Sequence, residues 1–207
     1  MMVTSDAGRS RETVSLRDRQ RAQIVTEIRY AAWRLIAERG YDAVTTEEIA
    51  AAAGVSARTF FRHIENKEQL LLGTLVYGEA VPTLLQARPA REAPDVALAN
   101  AILSHASASK LDDLDDWRRA ILKAPDLLEK VTIWPTEQRE RVVALTAARM
   151  NTDADEDLRP ALLVHLAFAA GDFAFRQWVR RADVDQRQIS AYLAEALDAI
   201  KSRRWRS

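Results

Sequence analysis

The sequence predicts an all-α protein of about nine helices. Three observations predict it. Only six Gly and six Pro interrupt 207 residues. Ala, Leu, Arg and Glu, all good helix formers, are abundant. Apolar residues recur at three- and four-residue spacing, while the period-two alternation of β-branched residues that marks strands is absent. No 20–50-residue repeat is present.

The elements follow in order. Residues 1–16 lack periodicity and include Arg9 and Arg11, so a disordered arm is expected there. Such an arm is either a plain tail or a minor-groove contact. From Leu16 to Arg39 the apolar positions Ile24, Ile28, Ala31 and Leu35 share one helical face. Gly40 then stops the helix, because glycine takes the left-handed conformation cheaply. Thr45 opens a second helix with Glu48 at capping-box spacing. Gly54 ends that helix near residue 53. Ser56 caps a third and Asn66, with Gln69, a fourth. Further helices are expected near 67–88, 93–108, 113–130, 135–150, 157–181 and 185–205. Pro125 and Pro135 fit first turns or kinks. The stretch 151–157 is an acidic turn.

Composition narrows the function. There are no cysteines, which excludes disulfide and thiolate chemistry and is compatible with a reducing cytoplasm. No apolar run approaches the roughly 18 residues of a membrane span. The N-terminus has no apolar signal core, so a cytoplasmic protein without membrane partners is expected. Three His, no Cys and no Gly-rich phosphate loop offer little to catalysis. Neither an enzyme nor a cofactor is expected. Asp153, Asp155 and Asp157 open like a calcium loop, but Leu158 stands at the required Gly and Val164 at the bidentate Glu. No metal site is expected. The four acids Asp112, Asp113, Asp115 and Asp116 suit a helix start.

Charge is balanced overall, with 30 Lys+Arg against 30 Asp+Glu. Its distribution is not. Residues 9–34 hold seven Arg against three acids, whereas 78–199 hold 15 bases against 20 acids. Neutrality therefore leaves room for a local electrostatic footprint on DNA.

The stretch TTEEIAAAAGVSARTFFRHIENKEQLL, from Thr45 to Leu71, has helix-turn-helix syntax: short helix, glycine turn, short helix. Ile49, Ala53, Phe60 and Ile64 suit the inner face. Ser56, Ala57, Arg58, Thr59, Arg62 and His63 remain for the outer face or helix start. Arg58 and Arg62, four apart, project together, and arginine can bond guanine O6 and N7 in the major groove. The small neighbours permit close approach. Thr45 and Thr46 at helix two, and Lys67 at helix four, sit where phosphate anchoring is expected. Phe61 either supports the core or touches DNA sugar and thymine methyl groups.

This segment resembles the N-terminal domain of the tetracycline-repressor (TetR) family of bacterial regulators. The resemblance rests on Thr45, Ile49-Ala50, Ala53-Gly54-Val55-Ser56, Thr59-Phe60-Phe61, His63-Ile64, Asn66-Lys67-Glu68 and Leu70. It extends back to about Arg17 and covers 55–60 residues. There are two departures. Phe61 replaces a tyrosine whose hydroxyl touches phosphate, leaving Thr59, His63 and Lys67 to anchor the backbone. Ile64 replaces the usual Phe. The later stretches RRAILKAPDLLEK and FAFRQWVRR resemble regulators linked to the mycofactocin system, whose pocket binds acyl-CoA-like molecules.

The resemblance implies a DNA-binding domain at 17–66 and a ligand-binding and dimerisation domain at 67–207, with the fourth helix joining them. It implies a homodimeric repressor released from a pseudo-palindromic operator by a small hydrophobic or acyl-type effector. The expected partners are double-stranded operator DNA, a second copy and that effector. Candidate pocket residues are His105, Trp117, Leu122, Leu128, Trp134, Leu145, Phe168 and Phe175, each of which is otherwise ordinary core. His165 offers polar specificity or is structural. The expected dimer face comprises Leu162, Leu166, Ala170 and Phe173 with Ile189, Leu193, Ala196, Leu197 and Ile200, unless these pack within one chain. The contrasting readings are a helical lipid carrier or enzyme with a vestigial head, and a constitutive DNA-binding protein.

Overall fold

The computed structural model describes residues 16–72, 80–108, 114–183 and 187–202. Most of the expected arm at 1–16, together with Asp112 and Asp113, lies outside them. Among the described residues eleven helices and no strand are found. They are α1 (Leu16–Arg39), α2 (Thr46–Ala52), α3 (Ala57–His63), α4 (Gln69–Leu72), α5 (Ala80–Gln86), α6 (Pro94–Ala108), α7 (Asp115–Leu122), α8 (Pro125–Lys130), α9 (Thr136–Met150), α10 (Leu158–Arg180) and α11 (Ile189–Ser202).

The count exceeds nine for two reasons. The helix expected at 113–130 breaks at Lys123–Ala124, and Pro125 restarts it at a first-turn position, where its missing N–H costs nothing. The helix expected at 67–88 is described as α4 and α5, with 73–79 between them outside the described residues.

Local chemistry explains the head. Gly40 (φ 89°) ends α1, and its N–H bonds Ile36 O at 2.8 Å. Thr45 caps α2 by accepting from Glu48 N at 3.2 Å, while Thr45 N donates to Glu48 Oε2 at 2.9 Å, which completes the capping box. Gly54 (φ 68°) turns the chain toward α3, and Ser56 caps α3 by accepting from Thr59 N at 3.1 Å. Asn66 accepts from Gln69 N at 3.0 Å, and Gln69 Oε1 accepts from Glu65 N at 3.1 Å. Ile28, Trp33, Ile36, Val44, Ile49, Phe60 and Ile64 fill the space between these helices.

The head shares its core with the body. Buried side chains from Ile28 to Leu197 form one contiguous cluster. α7 lies between α1 and α10. Its Arg118 is buried, donates to Trp178 O at 2.5 Å and to Asp115 Oδ1 at 3.1 Å, and lies 4.4 Å over the Trp178 ring. α10 packs on α7, α9 and α11. By length and composition α10 is apolar enough to cross a bilayer, with a mean hydropathy of 1.3 over 18 residues. This corrects the expectation that no segment approaches a span. In the fold, 44% of that window is buried among the other helices.

Candidate nucleic-acid interface and ligand cleft

α3 divides its side chains as a reading helix requires. Phe60 is fully buried and Ile64 nearly so, which seats the helix on the core. Ala57, Arg58, Phe61 and Arg62 are exposed, and Phe61 packs edge-on against Phe60 at 5.2 Å. Among the described residues nothing holds the exposed Arg58 guanidinium. Arg62 approaches His63 Nε2 at 3.4 Å through Nε and Nη2. Burial, then the charges of Arg62 and Arg21, hold the His63 pKa below its ordinary value. Nδ1 of His63 is buried and makes no bond among the described residues. The neighbourhood of Arg21 on α1, Arg62 and His63 is thus a cationic corner beside the helix face.

Three of the predicted DNA-contacting residues, Thr45, Ser56 and Lys67, have structural work. The Thr45 hydroxyl is engaged with Glu48 in the capping box, donating to its Oε2 at 3.0 Å. Ser56 Oγ is the α3 cap and bonds the Thr59 hydroxyl at 3.0 Å. Lys67 turns inward: its Nζ donates to Tyr41 O at 2.5 Å and to Val44 O at 2.8 Å, and lies 4.1 Å from the Tyr41 ring. Two of its three N–H bonds therefore tie α4 to the α1–α2 turn. Thr46 keeps its hydroxyl at the open end of α2, donating to Glu47 at 3.0 Å.

The body contains a cleft of about 370 Å³ between α10 and the strap that runs from the end of α8 to the start of α9. Glu129 of α8 and Val131, Thr132, Ile133 and Trp134 of the strap face Arg139 of α9 and His165, Phe168, Ala169, Asp172 and Arg176 of α10. Trp134 stacks on Phe168 with centroids 4.2 Å apart and planes 12° from parallel. Of the predicted pocket residues, Trp134 and Phe168 line this cleft. His105 and Phe175 reach the back of Trp134 in a narrower void with Ile102, Gly171, Ile189 and Leu193. Burial holds the His105 pKa below its ordinary value.

Trp117, Leu122, Leu128 and Leu145 line neither space. Trp117 is a strut whose Nε1 donates to Leu71 O at 2.9 Å. The reading from sequence missed Glu129, Thr132, Arg139, Asp172 and Arg176. The one local signal was the Asp172–Arg176 pair, two opposite charges four apart in the largely apolar middle of α10.

The predicted dimer residues separate into three sets. Leu162, Leu166 and Phe173 are 59%, 46% and 60% exposed, and Leu158 extends their stripe. Ala170, Ile189, Leu193 and Leu197 are buried within the protomer. Ala196 and Ile200 are half-buried, and Ile200 edges a groove of about 150 Å³ with Ala99, Leu163 and Leu166. The exposed face is therefore narrower than expected and belongs mainly to α10.

Residues 28–74 match the family model of bacterial regulatory proteins, tetR family, and residues 92–204 match the MftR C-terminal domain. Over 192 residues the chain is 33% identical to the HTH-type transcriptional regulator TcmR of Streptomyces glaucescens, covering 88% of this chain and 83% of that protein. The chain belongs to the TetR family. Its C-terminal half is of the MftR type. As a TetR-family protein it is a DNA-binding transcriptional regulator. Two crystal structures of NalD, the secondary repressor of the MexAB-OprM multidrug efflux pump in Pseudomonas aeruginosa, share the fold. Their TM-scores are 0.54 and 0.57 at 20% and 18% identity, each over 87% of this chain and 96% of NalD.

Proposed function

We propose that this TetR-family protein is a cytoplasmic, homodimeric repressor whose effector enters the cleft under Trp134. The observation that carries the reading is the exposed face of α3. Arg58, Phe61 and Arg62 stand out from a helix whose opposite side is locked on the core, as a major-groove reader requires. In this reading Arg58 and Arg62 contact bases, and Thr46, Ala57, Thr59 and His63 approach the backbone. Residues 17–66 act as the head and 67–207 as the sensing and assembly body.

The exposed Leu162, Leu166 and Phe173 stripe supports pairing of two bodies. Pairing sets two heads on half-sites about 34–36 Å apart, or a multiple, and so calls for a pseudo-palindromic operator. A cleft of about 370 Å³ favours an effector-responsive protein over a constitutive one. No catalytic role is proposed.

A short path supports coupling. The strap that lines the cleft follows Lys130, which bonds Glu68 Oε1 just before α4 at 2.9 Å. Trp117 and Trp33 donate to the consecutive carbonyls of Leu71 and Leu70, each at 2.9 Å. Movement of the strap would pull on the segment that Lys67 ties to the head. A 100-fold loss of operator affinity needs about 2.7 kcal/mol of differential binding.

A footprint on the protein's own promoter, repeated with candidate effectors, tests the reading. A protected palindrome released by ligand is expected. Protein that protects no sequence at low salt would overturn it.

A further inference from the structure

We propose that the cleft selects an organic anion, with Arg139 taking its carboxylate and the Trp134–Phe168 wall taking its apolar body. The proposal deepens the effector-responsive reading and rests on it for its biological meaning.

The charges in the cleft are unevenly satisfied. Arg176 donates to Asp172 Oδ2 at 3.0 Å and to Glu129 Oε2 at 3.4 Å, so both lining acids share one guanidinium. Arg139 has no carboxylate partner among the described residues. Its hydrogen bond is a long one, from Nη2 to Trp134 O at 3.5 Å, and its buried Nε makes none among the described residues. A buried N–H of a cation without an acceptor is costly, and the cost is removed by an incoming acceptor. The planar fork of arginine matches a carboxylate in two parallel bonds.

Apart from the ion-paired Glu129, Asp172 and Arg176 and the polar Thr132 and His165, the lining around that cation is apolar and aromatic. Trp134 and Phe168 form the stacked wall, with Val131, Ile133 and Ala169 beside it. The volume of about 370 Å³ lies at the small end of ordinary ligand pockets. A compact amphiphile with one anionic end therefore fits better than a neutral hydrocarbon. It also fits better than a cation, because the acids that would attract a cation are already held by Arg176.

Three probes of one shape test this: 1-naphthoate, 1-naphthalenemethanol and 1-naphthylmethylammonium. Each is titrated calorimetrically into the full chain at pH 7.5. The naphthoate is expected to bind at least tenfold more tightly than the alcohol, and the ammonium more weakly than both. In Arg139→Gln the naphthoate should fall to the level of the alcohol, whose own binding stays unchanged. Arg139→Lys should recover part of the preference. Equal binding of the three probes, a preference for the ammonium, or no heat at millimolar probe would overturn the proposal. So would a preference that survives in Arg139→Gln. The comparison on the unaltered chain decides even where a variant fails to fold. Operator binding is measured separately by anisotropy on the same preparation. Absence of the anion preference in the unaltered chain, with operator binding intact, defeats this proposal alone, whereas absence of operator binding defeats the regulator reading.

Discussion

A Cβ placed on Gly171 would lie 2.8 Å from Cζ2 of Trp134, whose ring stacks on Phe168 from the next turn of the same helix. The indole thus rests on α10 where α10 has no side chain, and it separates the outer cleft from the narrower void behind it. Gly171→Ala should gain helix propensity of about 1 kcal/mol. It should lose more, about 1–3 kcal/mol, by forcing a rigid ring to move. A net fall in the melting temperature and altered ligand binding in the cleft are expected. A stabilised variant with unchanged binding would refute this account of the contact.

Arg62 and Lys67 should behave differently. Arg62→Ala is expected to cost about 1–3 kcal/mol of operator affinity and to relax specificity at one position. Lys67→Met should leave the slope of log affinity against log salt nearly unchanged, because its ammonium is spent on Tyr41 O and Val44 O. It should instead lower stability by about 1–3 kcal/mol, read as a melting shift of several degrees. A salt slope reduced by about one in Lys67→Met would mean that this lysine meets phosphate.

Lys130 and Glu68 are 58% and 39% exposed, so their ion pair should add less than about 1 kcal/mol to stability. Its expected role is transmission. Lys130→Glu should keep ligand binding and operator binding but weaken the ability of ligand to release DNA. The double reversal Lys130→Glu with Glu68→Lys should restore it. Undiminished release by the single variant, in a competition assay, would place the coupling elsewhere.

Phe173→Glu or Leu162→Glu puts a charge on the exposed face of α10. A shift from dimer to monomer in light scattering, with operator affinity reduced at least 100-fold, is the expected result. Unchanged mass and affinity would show that copies pair through another surface.

Acid should loosen the head through Glu48. The Thr45 backbone N–H, then Arg39 and the Thr45 hydroxyl, hold its carboxyl at a pKa of about 2. A carboxylate whose folded pKa is depressed stabilises the fold fully above its unfolded pKa near 4.5. That contribution fades as pH falls from there toward 2. Glu48→Gln should show a smaller decline of melting temperature across this window than the unaltered chain. Parallel curves would remove Glu48 as a source of acid sensitivity.

The head was legible because its instructions are local. Thr45 and Glu48, Ser56 and Thr59, and Asn66 and Gln69 each stand three residues apart, so one helical turn brings donor to acceptor whatever the rest of the chain does. Gly40 and Gly54 specify their turns by the backbone alone. The family pattern is a dense set of such short-range signals.

The sequence by itself determined the all-helical fold, the helix starts and stops of the head, the two faces of α3 and the family. Tertiary structure decided what those faces meet. Periodicity shows that a helix has an apolar side without saying whether the same chain covers it. Hence Leu162 and Ile189 looked equivalent, although one is exposed and the other buried. Lys67 looked like a phosphate anchor until the fold brought it to carbonyls 26 and 23 residues earlier. The cleft joins Glu129 to Arg176 across 47 residues and leaves Arg139 unmatched. Such pairings arise only when packing sets the distances, because charges far apart in a chain have no fixed separation until helices dock.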